Sequence, residues 1–563
     1  MNSRTILDAF VDAIGSPALT SDAQSPHHYG VPHPRWRIGQ RESVDWAAGT
    51  EPSQIAILEA PTGSGKSSIV KALSYLFGKT DVLTRSKALQ HAYGGEYAAF
   101  MMMGMDNYLC VHPKGMSRHA TAGECLFAEK MSDCPTFARC LYHQAKEEAM
   151  ANTFVATNYA YWVNSYAFKR AERAWLAMDE GHNLSDIVLS YAGIKIGEKQ
   201  RVAMDLPPFP KIVHSRVSSF NPDPPEDIAR EWLQRCAHVL RTRVGEMEKR
   251  TSADEDFLAR MRRIDLFARQ VERVVSHLQV TADWFIRAGP DVIRSTDEES
   301  ESGPGLIVRP LTARYHWPFF FSELSAGRRL IMSATIGNIE VFTRELGITP
   351  DSFVSRVMPD QWPASSRPIF DLGCPKLGRK SPDSAWRKQA EIVAAAIHSC
   401  PASWSGLLHV TSWRAAADVI LRLSKHGLAD RLFLPPRVGT DRQIQAWEHR
   451  KRRHPGSLMV SPSMYEGFNG LDEQINILLK TPYPNYGDEF ERARRDYDGK
   501  FALQRTAWRM EQAKGRTRRG REQDYDLPNE RRGFVAFADG RWTDIKGYFS
   551  QSTLDAIVPF HAD

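Results

Sequence analysis

QIAILEAPTGSGKSSIVKALSYLF, residues 54–77, decides the fold. Its first part is an apolar run of strand length, its middle is glycine-rich, and its last part carries apolar residues at helical spacing. That order predicts a buried strand, a tight turn and a helix. APTGSGKS, Ala60 to Ser67, is the turn. Gly63 and Gly65 let backbone N–H groups close round phosphate oxygens, and the helix behind them presents its positive end to the same anion. Thr62, Ser64 and Ser68 belong to the same cradle. Lys66 is placed to reach the terminal phosphates of a nucleotide and Ser67 to hold Mg²⁺. Ala60 stands where the strict pattern has its first glycine, so the flanking strand and helix carry the reading.

Working outward, AWLAMDEGHNLSD, Ala174 to Asp186, is a second apolar strand that ends in acids. Asp179 and Glu180 should emerge at its carboxyl end, where open α/β sheets bind ligands. Asp179 could hold Mg²⁺ through water, while Glu180 could orient and deprotonate an attacking water. VLTRS (82–86), RRLIMSATIG (328–337), SGLLHVTSW (405–413), SLMVSPS (457–463) and INILLKTPYP (475–484) read as further strands. QRTAWRMEQAKGRTRR (504–519) reads as a strongly basic helix. Strands alternating with helices predict α/β architecture with a parallel sheet in each half of the chain. Residues 190–300 differ. Phe257, Met261, Ile264, Phe267, Val271, Val274 and Leu278 recur at steps of three or four, which predicts a helical insertion. STDEESESGPG (295–305) reads as its exit loop.

The chain has 563 residues, too many for one ordinary core. A net charge of +6 permits a nucleic-acid partner without demanding one. The first residues carry acids and no long apolar core, and no apolar run is long enough to span a bilayer. A membrane role is therefore not expected, and the cytoplasm, reducing, is the expected compartment. There, four of the seven cysteines crowd into one segment: Cys110, Cys125, Cys134 and Cys140, spaced C-x14-C-x8-C-x5-C. Clustered thiols in a reducing compartment suggest a metal or redox site rather than disulfides. Four thiolates suit an iron–sulfur cluster or a zinc ion; the paired tight knuckles usual for zinc are missing. HRKRRH, His449 to His454, is the densest basic run and reads as a solvated helix end or a phosphate contact. YAYWVNSYAF, Tyr159 to Phe168, reads mostly as core.

Taken in order, these pieces resemble the XPD/DinG family of superfamily 2 helicases. RIGQ, Arg37 to Gln40, looks like the family's adenine-reading Q motif, EAPTGSGK like motif I, and LTRSKALQ, Leu83 to Gln90, like motif Ia. DEGH, Asp179 to His182, is similar to the DEAH box, with Gly181 where alanine is usual. SAT, Ser333 to Thr335, looks like motif III, PSMYEGFNG, Pro462 to Gly470, like motif V, and QAKGRTRR, Gln512 to Arg519, like motif VI. The matches run from residue 37 to residue 519.

The resemblance implies two RecA-like P-loop motor domains with an iron–sulfur insertion and a helical arch-like insertion. Motor domain 1 would comprise residues 1–104, 151–190 and 305–348. The iron–sulfur insertion would be 105–150, the arch 191–304, and motor domain 2 would be 349–563. Gln40 would contact adenine with Arg37 close by. Arg516 and Arg519 would approach the γ-phosphate as arginine fingers with Gln512 beside them. Glu466 of motif V would touch the nucleotide, and Asn469 stands where the family usually has an acid. His182, Ser333 and Thr335 would couple nucleotide state to domain motion. The four cysteines would hold a [4Fe-4S] cluster, with zinc as the rival occupant. Lys114, Arg118, Lys130 and Arg139 could meet phosphates there, and Tyr108 or Phe127 could stack on a base. The implied activity is ATP-dependent, 5′ to 3′ unwinding by a monomer acting on single-stranded DNA and duplex junctions, in the nucleoid of a bacterial or phage-infected cell. The alternatives are a DNA-stimulated ATPase that remodels complexes without unwinding, and a binding module with a zinc staple and a lost ATPase.

Overall fold

A computed structural model describes residues 25–117, 119–125, 131–165, 172–212, 224–249, 255–279, 281, 283–293, 303–318, 326–361, 364, 368–378, 380–437, 439–463, 473–515, 517 and 533–561. In chain order the strands are β1 (Ile55–Glu59), β2 (Thr80–Thr84), β3 (Phe100–Met102), β4 (Phe154–Asn158), β5 (Arg173–Met178), β6 (Ile194–Gly197), β7 (Trp284–Ile293), β8 (Gly303–Pro310), β9 (Ala326–Ser333) and β10 (Phe353–Val357). The second half adds β11 (Ile369–Asp371), β12 (Gly406–His409), β13 (Leu432–Phe433), β14 (Leu458–Ser461), β15 (Ile475–Leu478), β16 (Phe534–Phe537) and β17 (Ile557–Pro559).

Two seven-stranded sheets result, ordered β10-β1-β9-β5-β2-β4-β3 and β13-β14-β12-β15-β16-β11-β17. Every neighbouring pair in both is parallel. The reason is visible in β1, where all five residues are buried. Ile55 and Ile57 feed one core, with Met178 and Ile331, while Ala56 and Leu58 feed the core on the opposite face, with Leu330 and Met332. A strand covered on both faces must be apolar throughout, and parallel sheets cover both faces with crossover helices. The sequence reading of two parallel α/β blocks and the two RecA-like sheets agree. The strand expected at 82–86 begins and ends two residues earlier, because Ser86 leaves the sheet to cap the next helix, accepting from Leu89 N at 3.3 Å.

The helices that position the site are α1 (Gln40–Ala48), α2 (Lys66–Phe77), α3 (Leu184–Ala192), α4 (Pro225–Glu248), α5 (Glu255–Leu278), α6 (Ile339–Leu346), α7 (Trp413–Leu423), α8 (Thr440–Arg453), α9 (Glu489–Tyr497) and α10 (Gly499–Lys514). The long helices α4 and α5 pack together in the insertion through Leu233, Cys236, Leu240, Ile264, Phe267 and Val271. The insertion also holds an antiparallel sheet, β6-β8-β7, which its charge and helical spacing did not announce. β7 carries Gly289 and Pro290, residues that argue against a strand except at an edge, and β7 is an edge. Two boundaries differ from expectation for the same reason, pairing across the chain. β8 belongs to the insertion's sheet up to Pro310, and β10 pairs with β1, so the first motor sheet runs to Val357. Most of the expected exit loop lies outside the described residues.

Candidate active site and nucleic-acid groove

β9 lies between β1 and β5, so three strand ends converge. Glu59 pairs with Ser333, and Met178 with Ile331. From β1 the chain enters the glycine-rich turn. Gly63 at φ 85° and Gly65 at φ 76° take the left-handed conformation that closes it, and α2 begins at Lys66. Lys66 Nζ folds back to donate to the Ala60 carbonyl at 3.4 Å. Ser64 is fully buried within the turn. Ser68 Oγ lies 3.1 Å from Tyr97 Oη. Thr62 faces the second motor: a Cβ on Gly515, at the end of α10, would come within 3.1 Å of its hydroxyl.

The expected base reader is placed on this turn. Gln40 Nε2 donates to the carbonyls of Ser64 at 2.8 Å and Gly65 at 3.2 Å. Its Oε1 accepts from the Arg37 backbone N–H at 2.6 Å, and the Arg37 guanidinium donates to the Gly63 carbonyl.

The acids stand where β5 ends. Asp179 Oδ1 accepts from the Glu180 N–H at 2.8 Å, and Oδ2 accepts from Tyr93 Oη at 3.0 Å. Burial, then the Asp179 charge, hold the Tyr93 phenol well above its ordinary value, so it is a donor to that carboxylate. Tyr159 Oη donates to the Asp179 carbonyl at 2.7 Å. Burial, and then the Glu180 charge, push the Asp179 carboxyl up to about 6. Neither tyrosine was singled out by the sequence; Tyr159 sits in a run that reads mostly as core, and Tyr93 lies just beyond the LTRSKALQ segment. Glu180 is held at φ 53°, and His182 Nδ1 lies 3.4 Å from its carboxylate and 2.8 Å from Ser333 Oγ. Asn183 Nδ2 reaches His182 Nε2 at 2.9 Å, and Asn183 Oδ1 accepts from Arg85 of the LTRS segment at 2.7 Å. A Cβ on Gly181 would overlap Cγ2 of Ile331 on β9, so there is no room here for the methyl of an alanine.

Motor 2 meets this row through α10. Gln512 Nε2 donates to Thr335 Oγ1 at 3.2 Å. Trp508 Nε1 donates to the Ile336 carbonyl at 2.9 Å, and Asn338 N donates to Gln504 Oε1 at 2.9 Å. Glu59 accepts from the N–H groups of Ile336 and Gly337, at 3.0 and 2.7 Å. Burial, then the Glu511 carboxylate of motor 2, push Glu59 up to about 7. Beyond α10, Arg494 of α9 bonds Asp186 Oδ1 at 2.8 Å and Glu345 Oε1 at 3.2 Å, tying α9 to α3 and α6. Glu466, Asn469, Arg516 and Arg519 lie outside the described residues.

The four cysteines line one small cavity of about 20 Å³ with Val111, His112 and Phe137, and none is in a disulfide. All four are half-buried, and their segment is held by short backbone ties such as Cys110 N to Ala120 O at 2.9 Å. Among the described residues no three His, Cys, Asp or Glu side chains are set to hold a single metal ion. Four thiols facing one space are a donor set that either a cluster or a zinc ion would use, and the space between them as it stands has room for about one water. Arg262 of α5 donates to the Ala122 carbonyl at 3.2 Å, so the helical insertion docks on this segment. Tyr108 is engaged in packing: its hydroxyl accepts from Met103 N at 3.1 Å and its ring meets Tyr142 edge-on. Arg118, Phe127 and Lys130 lie outside the described residues.

A groove of about 1790 Å³ crosses motor 2 at the carboxyl ends of the adjacent strands β12 and β15. Arg414, Arg422, Lys480 and Arg495 line it with Tyr483 and Tyr486. Lys480 sits over the Trp386 ring and Arg495 over Tyr486, at 5.6 and 4.9 Å. The HRKRRH run ends α8. Its Lys451 is bound to Glu473 at 2.7 Å and its Arg450 to the Asp430 carbonyl, while Arg452, Arg453 and His454 are exposed. Among the described residues no helix is long and apolar enough to cross a membrane.

No protein-family model and no curated protein matches the chain. Among solved structures, apo XPD aligns over 92% of this chain and 100% of its own, with a TM-score of 0.50 and 12% identity. The DUF1998 helicase MrfA bound to DNA and AMPPNP aligns over 89% of this chain and 48% of its own, with a TM-score of 0.37 and 11% identity. The fold is that of XPD.

Proposed function

We propose that this chain, folded as XPD is, hydrolyses ATP between its two motor domains and uses the cycle to move along single-stranded DNA and separate duplex. One observation carries the reading. The phosphate turn, the Asp179–Glu180 pair and the motif VI helix come together through β1, β9 and β5 and through α10, from segments far apart in sequence. The phosphates would lie against the turn and the N-terminus of α2, with Lys66 swinging from the Ala60 carbonyl to them. Ser67 and Asp179 would hold Mg²⁺, which neutralises charge on the transferring phosphoryl group. Glu180 would accept the proton of the attacking water. Gln512, Arg516 and Arg519 would complete the site from motor 2, and Glu466 would reach it from motif V.

DNA would follow the groove of motor 2, where cations meet phosphates and tyrosines can stack on bases without reading sequence. Cys110, Cys125, Cys134 and Cys140 would hold a [4Fe-4S] cluster as a structural staple in a segment too short for its own core. Travel from 5′ to 3′, action as a monomer and residence in the cytoplasm complete the proposal.

The test uses protein purified without oxygen. Duplexes with a 5′ or a 3′ single-stranded tail are offered with ATP, and iron and acid-labile sulfide are measured in the same sample. Unwinding from the 5′ tail with iron present is the expected result. ATP hydrolysis stimulated by single strands without unwinding would replace the helicase by a remodelling translocase. Zinc in place of iron would overturn the cluster.

A further inference from the structure

Gln40 is 2% exposed, and the orientation of its side-chain amide is fixed by chemistry. The Arg37 N–H can only donate, so the atom it meets is the oxygen, and the nitrogen faces Ser64 and Gly65. The amide nitrogen is thereby engaged by two main-chain carbonyls and the oxygen by a main-chain N–H. Reading adenine with a glutamine takes a donor and an acceptor presented together to one base edge. That pair is not presented here. The surroundings hold the arrangement in place. Gly39 adopts φ 75° against Met358 and Pro359, and Ile38 exchanges two hydrogen bonds with the Gln361 side chain, at 2.9 and 3.1 Å.

The consequence falls on the phosphates. In a trans peptide the C=O and the N–H point opposite ways. The carbonyl of Ser64 shares its peptide with the N–H of Gly65, and the carbonyl of Gly65 with that of Lys66. Drawing both carbonyls toward Gln40 turns those two N–H groups away from it, at the start of α2 where an anion binds. Resting on the ATPase reading above, we propose that Gln40 is a positioning residue of the phosphate cradle, assisted by Arg37, and that it does not read the base. Nucleotide selectivity then lies elsewhere, and losing Gln40 weakens every ligand that carries the phosphate chain.

Tripolyphosphate, which has no base, separates the two roles. Its dissociation constant with Mg²⁺ is measured beside those of ATP and GTP, by calorimetry, for the unmutated full chain and for Gln40→Ala, Gln40→Glu and Arg37→Ala. In Gln40→Ala all three constants rise by the same factor, about tenfold for one lost set of neutral hydrogen bonds. Gln40→Glu is worse than Gln40→Ala, because a carboxylate set against the two carbonyl oxygens and beside the phosphates repels both. Arg37→Ala, which leaves Gln40 in place, gives a smaller loss that is also blind to the base, and stands in should Gln40→Ala not fold. A loss confined to ATP, with tripolyphosphate and GTP unchanged, would overturn the proposal, as would unchanged binding of all three. An unmutated chain that binds none of them would remove the ATPase reading instead.

Discussion

Glu180 at φ 53° holds a conformation that costs a non-glycine residue on the order of 1 kcal/mol. The cost is met by Asp179, whose carboxylate takes the Glu180 N–H, and it turns the side chain toward His182 rather than along the strand axis. Glu180→Gln keeps this shape and removes the proposed base, so ATP turnover should fall by about 10²-fold or more while nucleotide binding persists. A steady-state assay beside calorimetry reads both. Gly181 teaches the opposite lesson. Swapping glycine for the commoner alanine looks harmless in sequence, yet the added methyl must displace Ile331 on the central strand. Gly181→Ala should cost about 1–3 kcal/mol of stability, seen as a lower midpoint in thermal unfolding. Glu59 makes a prediction in pH. Its folded value, about 7, lies above its ordinary 4.5, so the folded state holds the proton longer than the unfolded chain does. Its contribution to stability is complete below pH 4.5 and is lost as the pH rises through 7. Glu59→Gln should therefore flatten the decline of melting temperature across that window; an unchanged slope would mean Glu59 titrates normally.

Elements explain what was and was not legible. The phosphate turn was readable because its strand, glycines, lysine and helix are contiguous, and DEGH and SAT because each ends an apolar strand. Tyr93 and Tyr159 were not, because their function is a contact with Asp179 made across the sheet, and nothing in HAYGG or NYAYW distinguishes such a tyrosine from a packed one. The antiparallel sheet of the insertion escaped for a related reason: pairing partners separated by two long helices leave no local signal. The densest basic run is in part the solvated helix end that its sequence suggests, with Arg452, Arg453 and His454 exposed, while Lys451 and Arg450 hold α8 to its neighbours. The least legible element is α9. Its Arg494 is buried against Glu345, which is itself 3% exposed, so neither partner can turn to solvent. Arg494→Ala leaves that carboxylate without its cation and should cost about 3–5 kcal/mol. Because α9 is continuous with α10 through Asp498, the same change should loosen Gln512 from Thr335 and depress ATP turnover beyond the stability loss. Turnover measured well below the unfolding midpoint tests this; a fully active variant would confine Arg494 to stability.

At the scale of the whole molecule, the strand order has a consequence for how the chain is made. β1 emerges early in synthesis, but its sheet neighbours among the described residues are β9 and β10, which end at residues 333 and 357. Until then β5, β2, β4 and β3 can assemble among themselves, while the strand that carries the phosphate turn has nothing to pair with. A ribosome must deliver the cysteine segment and the whole helical insertion before β1 can be enclosed. Such delayed closure makes folding slow and leaves an apolar strand exposed to other chains. A fragment ending at residue 190, although it holds the turn and both acids, should aggregate or stay protease-sensitive, whereas one ending at residue 360 should not. Pulse proteolysis of stalled nascent chains would time the event: protection of the phosphate turn should appear only after residue 357 has cleared the exit tunnel. The strand that leads into the glycine-rich turn is thus the first part of the sheet to be written and the last to be protected, a dependence on translation that the finished fold conceals.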